Sequence, residues 1–325
     1  MLNALDSVGL ASDGRLLTLN SFENRVYQIG VANAPSGTAG SFIVAKFYRP
    51  ERWSDAAILE EHAFAAELAA REIPAVPPLA CNGATLHSHD GFRFAVFPRQ
   101  TGRPPELDRA GVLEWLGRFM GRIHAVGATA PFLQRETLDI ESFGATPYNY
   151  LMDHDFIPPE LHDVWAGVAA QALDGVQESF ERAGGVRSIR LHGDCHMGNV
   201  LWTETDDTTT TPGPHFVDFD DARMGPAVQD LWMLLSGPRA ERSRQLREIL
   251  AGYHDFSDFD PAELHLVEAL RTLRLIHYSA WIARRWEDPA FPPAFPWFDT
   301  PRYWEERILE LREQIALMDE PPLPT

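Results

Sequence analysis

The chain has 325 residues, 45% hydrophobic and 23% charged, which is the composition of a globular protein long enough to bury one or two cores. Its formal net charge of −19 makes nucleic acids and anionic membranes poor default partners. Two distant cysteines, Cys81 and Cys195, argue against a disulfide framework or a structural zinc site and fit a reducing cytosol. The sequence predicts neither a signal peptide nor a transmembrane segment.

The first hundred residues have the pattern of a strand-rich region with one helix. Ser54 is a plausible N-cap for that helix, and Ile73-Pro74 ends it. The predicted elements, in chain order, are a polar turn from residue 21 entering a strand to residue 29, a Gly/Ser/Pro-rich turn at 35–41, a strand at 42–47, a helix at 54–72, and strands near 84–87 and 92–98.

A cluster of proline and glycine at 98–105 predicts a domain hinge. Beyond it the pattern is helical, interrupted by strands near 200–202 and 215–218 that a Thr/Asp/Pro/Gly loop at 203–214 joins as a solvated hairpin. The predicted helices are 108–127, 158–183, 226–237, 239–254, 261–287 and 301–318. We therefore expect an α+β, bilobal fold, with a small β-rich lobe at 1–100 and a larger, mainly helical lobe at 101–325.

Of the 28 lysine and arginine residues, only Lys46 is a lysine, and it lies in the apolar strand predicted at 42–47. An ammonium is compact whereas a guanidinium is a broad fork, so lysine here indicates a place where arginine does not fit. A strand lysine after Val-Ala is also what kinases use to hold the α- and β-phosphates of ATP. Chance survival of one lysine in an arginine-biased chain is the alternative.

The strongest chemical signal is His-Gly-Asp at 192–194, followed by Asn199 and by the Asp-Phe-Asp-Asp run that begins at Asp218. Phosphoryl transfer from ATP needs a carboxylate near the acceptor hydroxyl and oxygen ligands for Mg²⁺. Asp194 can orient that hydroxyl and accept its proton. Asn199 can offer its carbonyl oxygen to Mg²⁺, and Asp218, at the end of a short apolar strand, is the main Mg²⁺ carboxylate.

At these residues the sequence resembles the aminoglycoside phosphotransferase and choline kinase branch of the protein-kinase-like superfamily. Within that branch it is similar to the stress response kinase A family, from about residue 15 to the C-terminus. The blocks that carry the resemblance are Asn20–Tyr27, Ala45–Trp53, Arg190–Asn199, Gly225–Leu234 and Asp288–Pro292. The resemblance implies a cytoplasmic serine/threonine protein kinase that depends on ATP and Mg²⁺.

The resemblance also implies roles for single residues. Lys46 matches the phosphate lysine and Asp194 the catalytic aspartate, with Asn199 and Asp218 as the two metal ligands and Asp218 also counted as catalytic. The helix partner of the lysine should be Glu61, with the adjacent Glu60 as fallback; a solvated helix carboxylate is the alternative. Asp230 matches an aspartate that braces the catalytic loop, or else is a carboxylate favoured at a helix start.

The sequence departs from the protein-kinase pattern at two places. No G-x-G-x-x-G precedes Lys46, so Ser21, Glu23 and Asn24 are candidates to close the loop over the nucleotide by side-chain bonds, and Ser21 and Asn24 are predicted to contribute to nucleotide binding. His196 stands where protein kinases often carry a lysine. It either faces the γ-phosphate and adds charge when protonated, or packs within the loop.

Other interpretations of the same residues remain open. His192, Asp194, Cys195 and His196 are too close in sequence to converge easily on a zinc ion. Cys195 either fills the underside of the loop or acts as a redox switch. The aromatic residues around 281–297 form either core packing or a substrate groove.

The function hypotheses differ in the acceptor. The favoured one is a kinase of protein serine or threonine hydroxyls; the others are a small-molecule kinase for an amino alcohol or aminoglycoside, and a non-catalytic nucleotide-binding module. Residues 1–100 carry 8 basic and 10 acidic side chains, a net charge of −2. Residues 101–325 carry 20 basic and 37 acidic side chains, a net charge of −17. This charge suits a basic protein or a cationic small molecule equally, and a monomer is the default expectation.

Overall fold

The computed structural model describes residues 1–19, 21–32, 41–204 and 213–325. Short 3₁₀ helices cover Met197–Asn199, Phe219–Asp221 and Pro261–Leu266, and a π-helical turn covers Glu141–Ala145. The strands are β1 (Ser12–Leu19), β2 (Arg25–Val31), β3 (Phe42–Phe47), β4 (His87–His89), β5 (Phe92–Pro98), β6 (Ile189–Leu191), β7 (Val200–Thr203), β8 (Gly213–Phe216) and β9 (Arg223–Gly225). The α-helices are α1 (Leu2–Ser7), α2 (Asp55–Ala70), α3 (Val112–Gly127), α4 (Thr146–Met152), α5 (Pro159–Ala183), α6 (Val228–Trp232), α7 (Arg239–Tyr253), α8 (Val267–Ala283), α9 (Phe291–Ala294) and α10 (Pro301–Met318).

The chain divides into two compact units, each made of several stretches of sequence. The first consists of Met1–Arg135, His192–Ala222 and Arg247–Asp258. The second consists of Glu136–Leu191, Arg223–Leu246 and Phe259–Thr325. This division is not the same as the predicted lobes, and a lobe boundary at residue 100 stays a prediction.

The first unit is built on an antiparallel sheet in the order β1-β2-β3-β5-β4. Its central strand, β3, pairs with β2 on one side and β5 on the other. Successive side chains of a strand point to opposite faces of the sheet. Ile43 and Ala45 are therefore buried in one core, with Leu5 of α1, while Lys46 points to the opposite face, where Ile58 of α2 is buried.

Helix α2 begins as its sequence predicts. The Ser54 hydroxyl accepts a hydrogen bond from the backbone N–H of Ala57 at 3.1 Å, which satisfies one of the unpaired donors at the helix start. Its buried side chains include Ile58, Phe64 and Leu68, the three apolar positions that the periodicity marks. The same buried face carries Glu61 and His62, which an apolar core alone would not hold.

Helix α3 and the C-terminal half of α7 approach each other backbone to backbone. A Cβ atom added to Gly117 would lie 1.9 Å from the carbonyl oxygen of Ile249, and one added to Gly252 would lie 2.0 Å from that of Glu114. Only glycine permits this distance. The close packing fixes α3, whose Met120 lies beneath the His-Gly-Asp loop with its Sδ atom 3.8 Å from Cys195 Sγ.

The second unit is mainly helical, with a core rich in aromatic side chains. Trp165, Phe291, Phe298 and Trp304 are each at most 1% exposed. The Trp281 ring lies 5.2 Å from that of Phe291, so the aromatic residues after α8 belong largely to this core. A role for them in substrate binding stays a prediction.

The structure corrects several predicted boundaries. The strand expected at 84–87 lies at 87–89, and the helix expected from 108 begins at Val112, after Gly111 in the left-handed region at φ 83°. The helix expected over 226–237 ends at Trp232, ahead of the breakers Gly237-Pro238, and the one expected over 261–287 is a 3₁₀ turn followed by α8. The strand expected to end at residue 218 ends at Phe216.

Parts of the prediction concern residues that the structure does not describe. Asn20, most of the turn at 35–41 and most of the loop at 203–214 lie outside the described residues. Within the described part of the chain, no helix combines the length and the apolar character needed to cross a membrane.

His62 is a buried histidine whose two ring nitrogens are both engaged. Its Nε2 lies 2.8 Å from the Tyr48 hydroxyl and its Nδ1 lies 2.9 Å from Thr85 Oγ1. Burial, reinforced by the positive charges of Lys46 and Arg135, lowers the pKa of His62 to about 3. The ring is therefore neutral in the folded protein at pH values well above 3.

We expect His62 to make the free energy of unfolding depend on pH. Between pH 6.5 and about 3 the unfolded chain binds a proton at this residue and the folded chain does not. The contribution of His62 to the free energy of unfolding is therefore full above pH 6.5 and is lost as the pH falls toward 3. Going from pH 7 to pH 5 should cost about 2 kcal/mol through this group. Urea unfolding at the two pH values should show a smaller change in the free energy of unfolding for His62→Gln than for wild type, whereas His162→Gln, at a partly exposed residue, should show the same change as wild type.

We expect Gly117→Ala to destabilise the protein by about 1–3 kcal/mol, because its Cβ would collide with the backbone of α7. Gly167 lies in helix α5, and a Cβ added there would meet no atom within 4 Å, so Gly167→Ala should be neutral or stabilise by up to about 1 kcal/mol. Thermal unfolding of both variants measures the difference; equal effects would contradict the close packing of α3 on α7.

Candidate active site

The ammonium of Lys46 is the centre of a buried cluster of charges. Lys46 is the last residue but one of β3, opposite Val26 of β2 and Ala95 of β5, and its side chain is 6% exposed. Three carboxylates surround its Nζ atom: Asp220 at 2.9 Å, Asp218 at 3.0 Å and Glu61 at 3.7 Å. Burial alone would lower the pKa of this lysine, but the three carboxylates outweigh it and raise the pKa well above its usual value.

Glu61, and not Glu60, is the residue of α2 that faces Lys46. Its side chain is 3% exposed, and its second oxygen, Oε2, lies 2.9 Å from Arg135 Nη2. Burial raises the pKa of Glu61, and the positive charges of Lys46 and Arg135 oppose that rise. The solvated-carboxylate interpretation of Glu61 is wrong for this structure, because the residue is buried and paired with two cations.

Asp218 lies two residues after β8 and has an unusual backbone conformation. Its φ and ψ angles are 60° and 66°, in the left-handed region that side chains other than glycine seldom adopt. The turn leaves the side chain 50% exposed while its Oδ1 atom contacts Lys46. Asp218 is therefore the carboxylate of the cluster that solvent reaches most easily.

Asp220 is a part of the site that the sequence analysis missed. Its side chain is 5% exposed, forms an ion pair with Arg52, and accepts a hydrogen bond from Asn24 Nδ2 at 3.0 Å. Burial raises the pKa of Asp220, but Arg52 and Lys46 overcome this and lower it to about 2. The repeated aspartates of the Asp-Phe-Asp-Asp run were the sequence feature that could have indicated Asp220, but nothing in the sequence paired this residue with one particular arginine.

The turn before β2 is closed by side-chain bonds, as the sequence predicts in place of a glycine-rich loop. The N–H of Asn24 donates to Ser21 Oγ at 3.3 Å, and the N–H of Arg49 donates to Asn24 Oδ1 at 3.1 Å. Glu23 forms ion pairs with Arg49 at 3.3 Å and with Arg52 at 3.6 Å. Both ends of the buried Asn24 amide are thus used inside the protein, and contact of Ser21 or Asn24 with nucleotide stays a prediction.

The loop that carries Asp194 is fastened to the segment before Asp218. His192 is fully buried and donates from Nε2 to the carbonyl oxygen of Val217 at 2.9 Å. The N–H of Val217 in turn donates to the carbonyl oxygen of Asn199 at 3.0 Å. These bonds extend the pairing of β7 with β8 and bring Asn199 next to the residue that precedes Asp218.

Within the loop, Asn199 and His196 both bond to its backbone. Asn199 donates from Nδ2 to the carbonyl oxygen of Asp194 at 2.9 Å, so its Oδ1 is the oxygen suited to a metal. His196 accepts the N–H of Gly198 at Nδ1, at 2.9 Å, and its Nε2 lies 3.5 Å from Asp194 Oδ2. This geometry fits the loop-packing interpretation of His196, and contact with the γ-phosphate stays a prediction. Cys195 is fully buried, as expected for a residue that fills the underside of the loop.

The donor set fits Mg²⁺ in the manner of a kinase rather than a protein cage. Among the described residues, no group of three or more His, Cys, Asp and Glu side chains is arranged to hold a metal ion. Mg²⁺ needs only one or two carboxylates, an amide oxygen and the phosphates of a nucleotide. The half-exposed Asp218 and the Oδ1 of Asn199 fit that requirement.

Asp230 lies in α6 of the second unit and is fully buried. It stands in the first turn of that helix, where the macrodipole favours a carboxylate, so its position fits the helix-start interpretation. Its predicted role in bracing the catalytic loop stays a prediction.

Comparison with known proteins identifies the family. A family model described as the phosphotransferase enzyme family matches residues 16–267. The chain belongs to this family. It is 43% identical over 323 residues to stress response kinase A of Escherichia coli (strain K12), covering 99% of this chain and 94% of the relative. It is 42% identical, with the same coverage, to serine/threonine protein kinase RdoA of Salmonella typhimurium (strain LT2).

The fold agrees with that family. The solved structure of amicoumacin kinase hAmiN in complex with AMP-PNP, Ca²⁺ and Ami has a TM-score of 0.69 and 18% identity to this chain, and the match covers 96% of this chain and 90% of that one. The predicted α+β, protein-kinase-like fold and the resemblance to stress response kinase A are confirmed. As a member of the phosphotransferase enzyme family with kinases as its relatives, the protein is an ATP-dependent phosphotransferase.

We expect Lys46→Arg to abolish most of the phosphotransferase activity although it keeps the charge. The broad guanidinium cannot occupy the compact position between three carboxylates that the ammonium fills. ATP turnover should fall by about 100-fold or more, because small displacements in a phosphate site have effects of that size. Arg25→Lys, on the exposed start of the neighbouring β2, is the control and should keep wild-type turnover. Normal turnover in Lys46→Arg would show that the lysine is not required as such.

Proposed function

We propose that this phosphotransferase transfers the γ-phosphoryl group of ATP to serine or threonine hydroxyls of proteins, with Asp194 as the catalytic base. In the transfer, the acceptor oxygen forms a bond to the γ-phosphorus while the bond from that phosphorus to the bridging oxygen of ADP breaks. Asp194 orients the hydroxyl and accepts its proton, and Lys46 neutralises charge on the phosphates. Mg²⁺, held by Asn199 and Asp218, would stabilise the negative charge of the phosphates.

The observation that supports this proposal best is the position of Asp218. It contacts the phosphate lysine at 3.0 Å, and the residue before it is hydrogen-bonded to Asn199. Asn199 in turn is hydrogen-bonded to the backbone of Asp194. One continuous set of contacts therefore links the lysine, both proposed metal ligands and the proposed base. Phosphoryl transfer depends mainly on such positioning and on electrostatic stabilisation.

The choice of a protein acceptor rests on the relatives. Those that are 42–43% identical over nearly the whole chain are named as stress response and serine/threonine protein kinases. The similarity to amicoumacin kinase, at 18% identity, extends to the fold alone. A basic protein suits the charge of −17 on residues 101–325. Small amino alcohols or aminoglycosides are the second candidate acceptors, since the same charge attracts them. A cytoplasmic location and a monomeric state remain part of the proposal.

The test is transfer from radiolabelled ATP in the presence of Mg²⁺, with the protein alone, with a basic protein, and with a panel of amino alcohols and aminoglycosides. We expect label on protein, reduced by about 100- to 10,000-fold in Asp194→Asn, because the variant keeps the shape of the residue but cannot accept a proton. ATP affinity should change little in the variant.

Asp174→Asn, an exposed aspartate in the middle of α5, is the matched control and should label protein as wild type does. Label on a small molecule with none on protein would replace the protein acceptor by the second candidate. Full protein labelling by Asp194→Asn would contradict the role of Asp194 as the base.

A further inference from the structure

The segment 133–135 is fastened to helix α2 by a carboxylate. Glu60 accepts three backbone hydrogen bonds, from the N–H groups of Leu133 at 2.7 Å, Gln134 at 2.8 Å and Arg135 at 3.1 Å. Hydrogen bonds from backbone N–H groups to an ionised carboxylate are stronger than neutral ones. Glu60 and its neighbour Glu61 thus point to different partners, but both partners belong to the same short segment.

The side chain of Arg135 continues this connection into the protein. It is fully buried, and its guanidinium lies over the Trp53 ring with 4.6 Å to the centroid. Nη2 forms the ion pair with Glu61 at 2.9 Å, and Nε donates to the carbonyl oxygen of Ala57 at 2.9 Å. Both acceptors lie on α2.

The remaining end of the same guanidinium holds the segment after Asp218. Nη1 of Arg135 donates to the carbonyl oxygens of Asp220 at 2.7 Å and Ala222 at 2.9 Å. One rigid, planar group therefore joins α2, which carries Glu61, to the turn that carries Asp218 and Asp220. These three carboxylates are the ones that surround Lys46.

This connection matters because both elements must be in place for phosphoryl transfer. In protein kinases the lysine–glutamate pair and the metal-binding aspartate are brought into position by regulated movements of a helix and a loop. Here a buried arginine bonds to the helix and the turn at once. Separating them would leave the Arg135 charge and several backbone oxygens buried without partners, which is strongly unfavourable.

We propose that Arg135 is a positioning residue for phosphoryl transfer. It holds Glu61 and the turn at 218–222 in the arrangement that Lys46 requires, so that the nucleotide site is assembled before ATP binds and without an activating modification. Glu60 supports this role by fixing the backbone of the segment from which Arg135 extends. The proposal goes beyond the choice of acceptor and holds whether the acceptor is a protein or a small molecule.

The first test compares Arg135→Lys with wild type. The lysine keeps the charge but cannot contact α2 and the turn together, so kcat/KM for ATP should fall by about 10- to 100-fold. The loss should include a weaker affinity for ATP, measured by direct binding without any acceptor. ATP binding and acceptor-free ATP hydrolysis separate this result from a failure of the protein-acceptor proposal.

The matched control is Arg242→Lys. Arg242 is also a buried arginine, 7% exposed and ion-paired with Glu268 at 2.8 Å, but it lies in the second unit. Arg242→Lys should lower the melting temperature about as much as Arg135→Lys does, while its kcat/KM for ATP stays within about twofold of wild type. If both variants lose stability and activity in the same proportion, Arg135 is structural and the proposal is overturned.

If Arg135→Lys folds poorly, Glu60→Gln tests the proposal without replacing Arg135. Glu60→Gln weakens the backbone anchor without touching the buried ion pair, and it should lower kcat/KM in the same direction by about threefold to tenfold. Where Arg135→Lys folds, its effect on kcat/KM should be smaller in the Glu61→Gln background than in wild type, because both changes disrupt the same ion pair. Strictly additive effects, or unchanged kcat/KM in Glu60→Gln, would contradict the proposal.

Discussion

Burying the ammonium of Lys46 in the middle of a sheet is the constraint on which the rest of the site depends. An isolated buried charge is highly unfavourable, so the surrounding structure must supply partners at short distance. Glu61 and Asp220 do so from two different elements, but each of them is itself buried and needs a partner. Arg135 and Arg52 fill that need. The presence of one cation therefore accounts for a network that reaches α2, the loop after β3 and the turn after β8.

The same network separates the carboxylates by exposure. Glu61 and Asp220 are 3% and 5% exposed and each is bound to an arginine, whereas Asp218 is 50% exposed. A metal ion delivered with a nucleotide would reach Asp218 without breaking a buried arginine pair. The difference in exposure among the three acidic residues thus follows the arginine pairs, and the proposed metal role of Asp218 rests on it.

The sequence could predict some residues of this site but not the arginines that pair with them. Lys46, Asp194, Asn199 and Asp218 were proposed from a strand lysine and a short loop motif, and Glu61 was proposed from the resemblance to the kinase branch. Their proximity is what the fold class implies. The partners of the network could not be found in this way, because the sequence offers many arginines and only the fold selects which of them pairs with Asp220 and with Glu61.

Secondary structure shows the same limit. Helix α2 has both a cap and a clear apolar periodicity, and its extent was predicted closely. Strand β1 was missed because most of its residues are exposed, so it has no buried alternation to reveal it. The sequence therefore predicts helices and strands that bury a periodic apolar face. It misses a strand such as β1, which is held by pairing at the edge of a sheet.

The backbone of Asp218 completes the argument. A left-handed conformation at a residue other than glycine costs about 1–3 kcal/mol and persists only where the neighbouring structure enforces it. Here the restraint comes from both sides. On one side, the N–H of Val217 is bonded to Asn199; on the other, the carbonyl oxygens of Asp220 and Ala222 are bonded to Arg135. The unfavourable turn directs the Asp218 carboxylate toward both solvent and Lys46, so the energy held in this turn is the cost of placing the proposed metal ligand beside the proposed phosphate lysine.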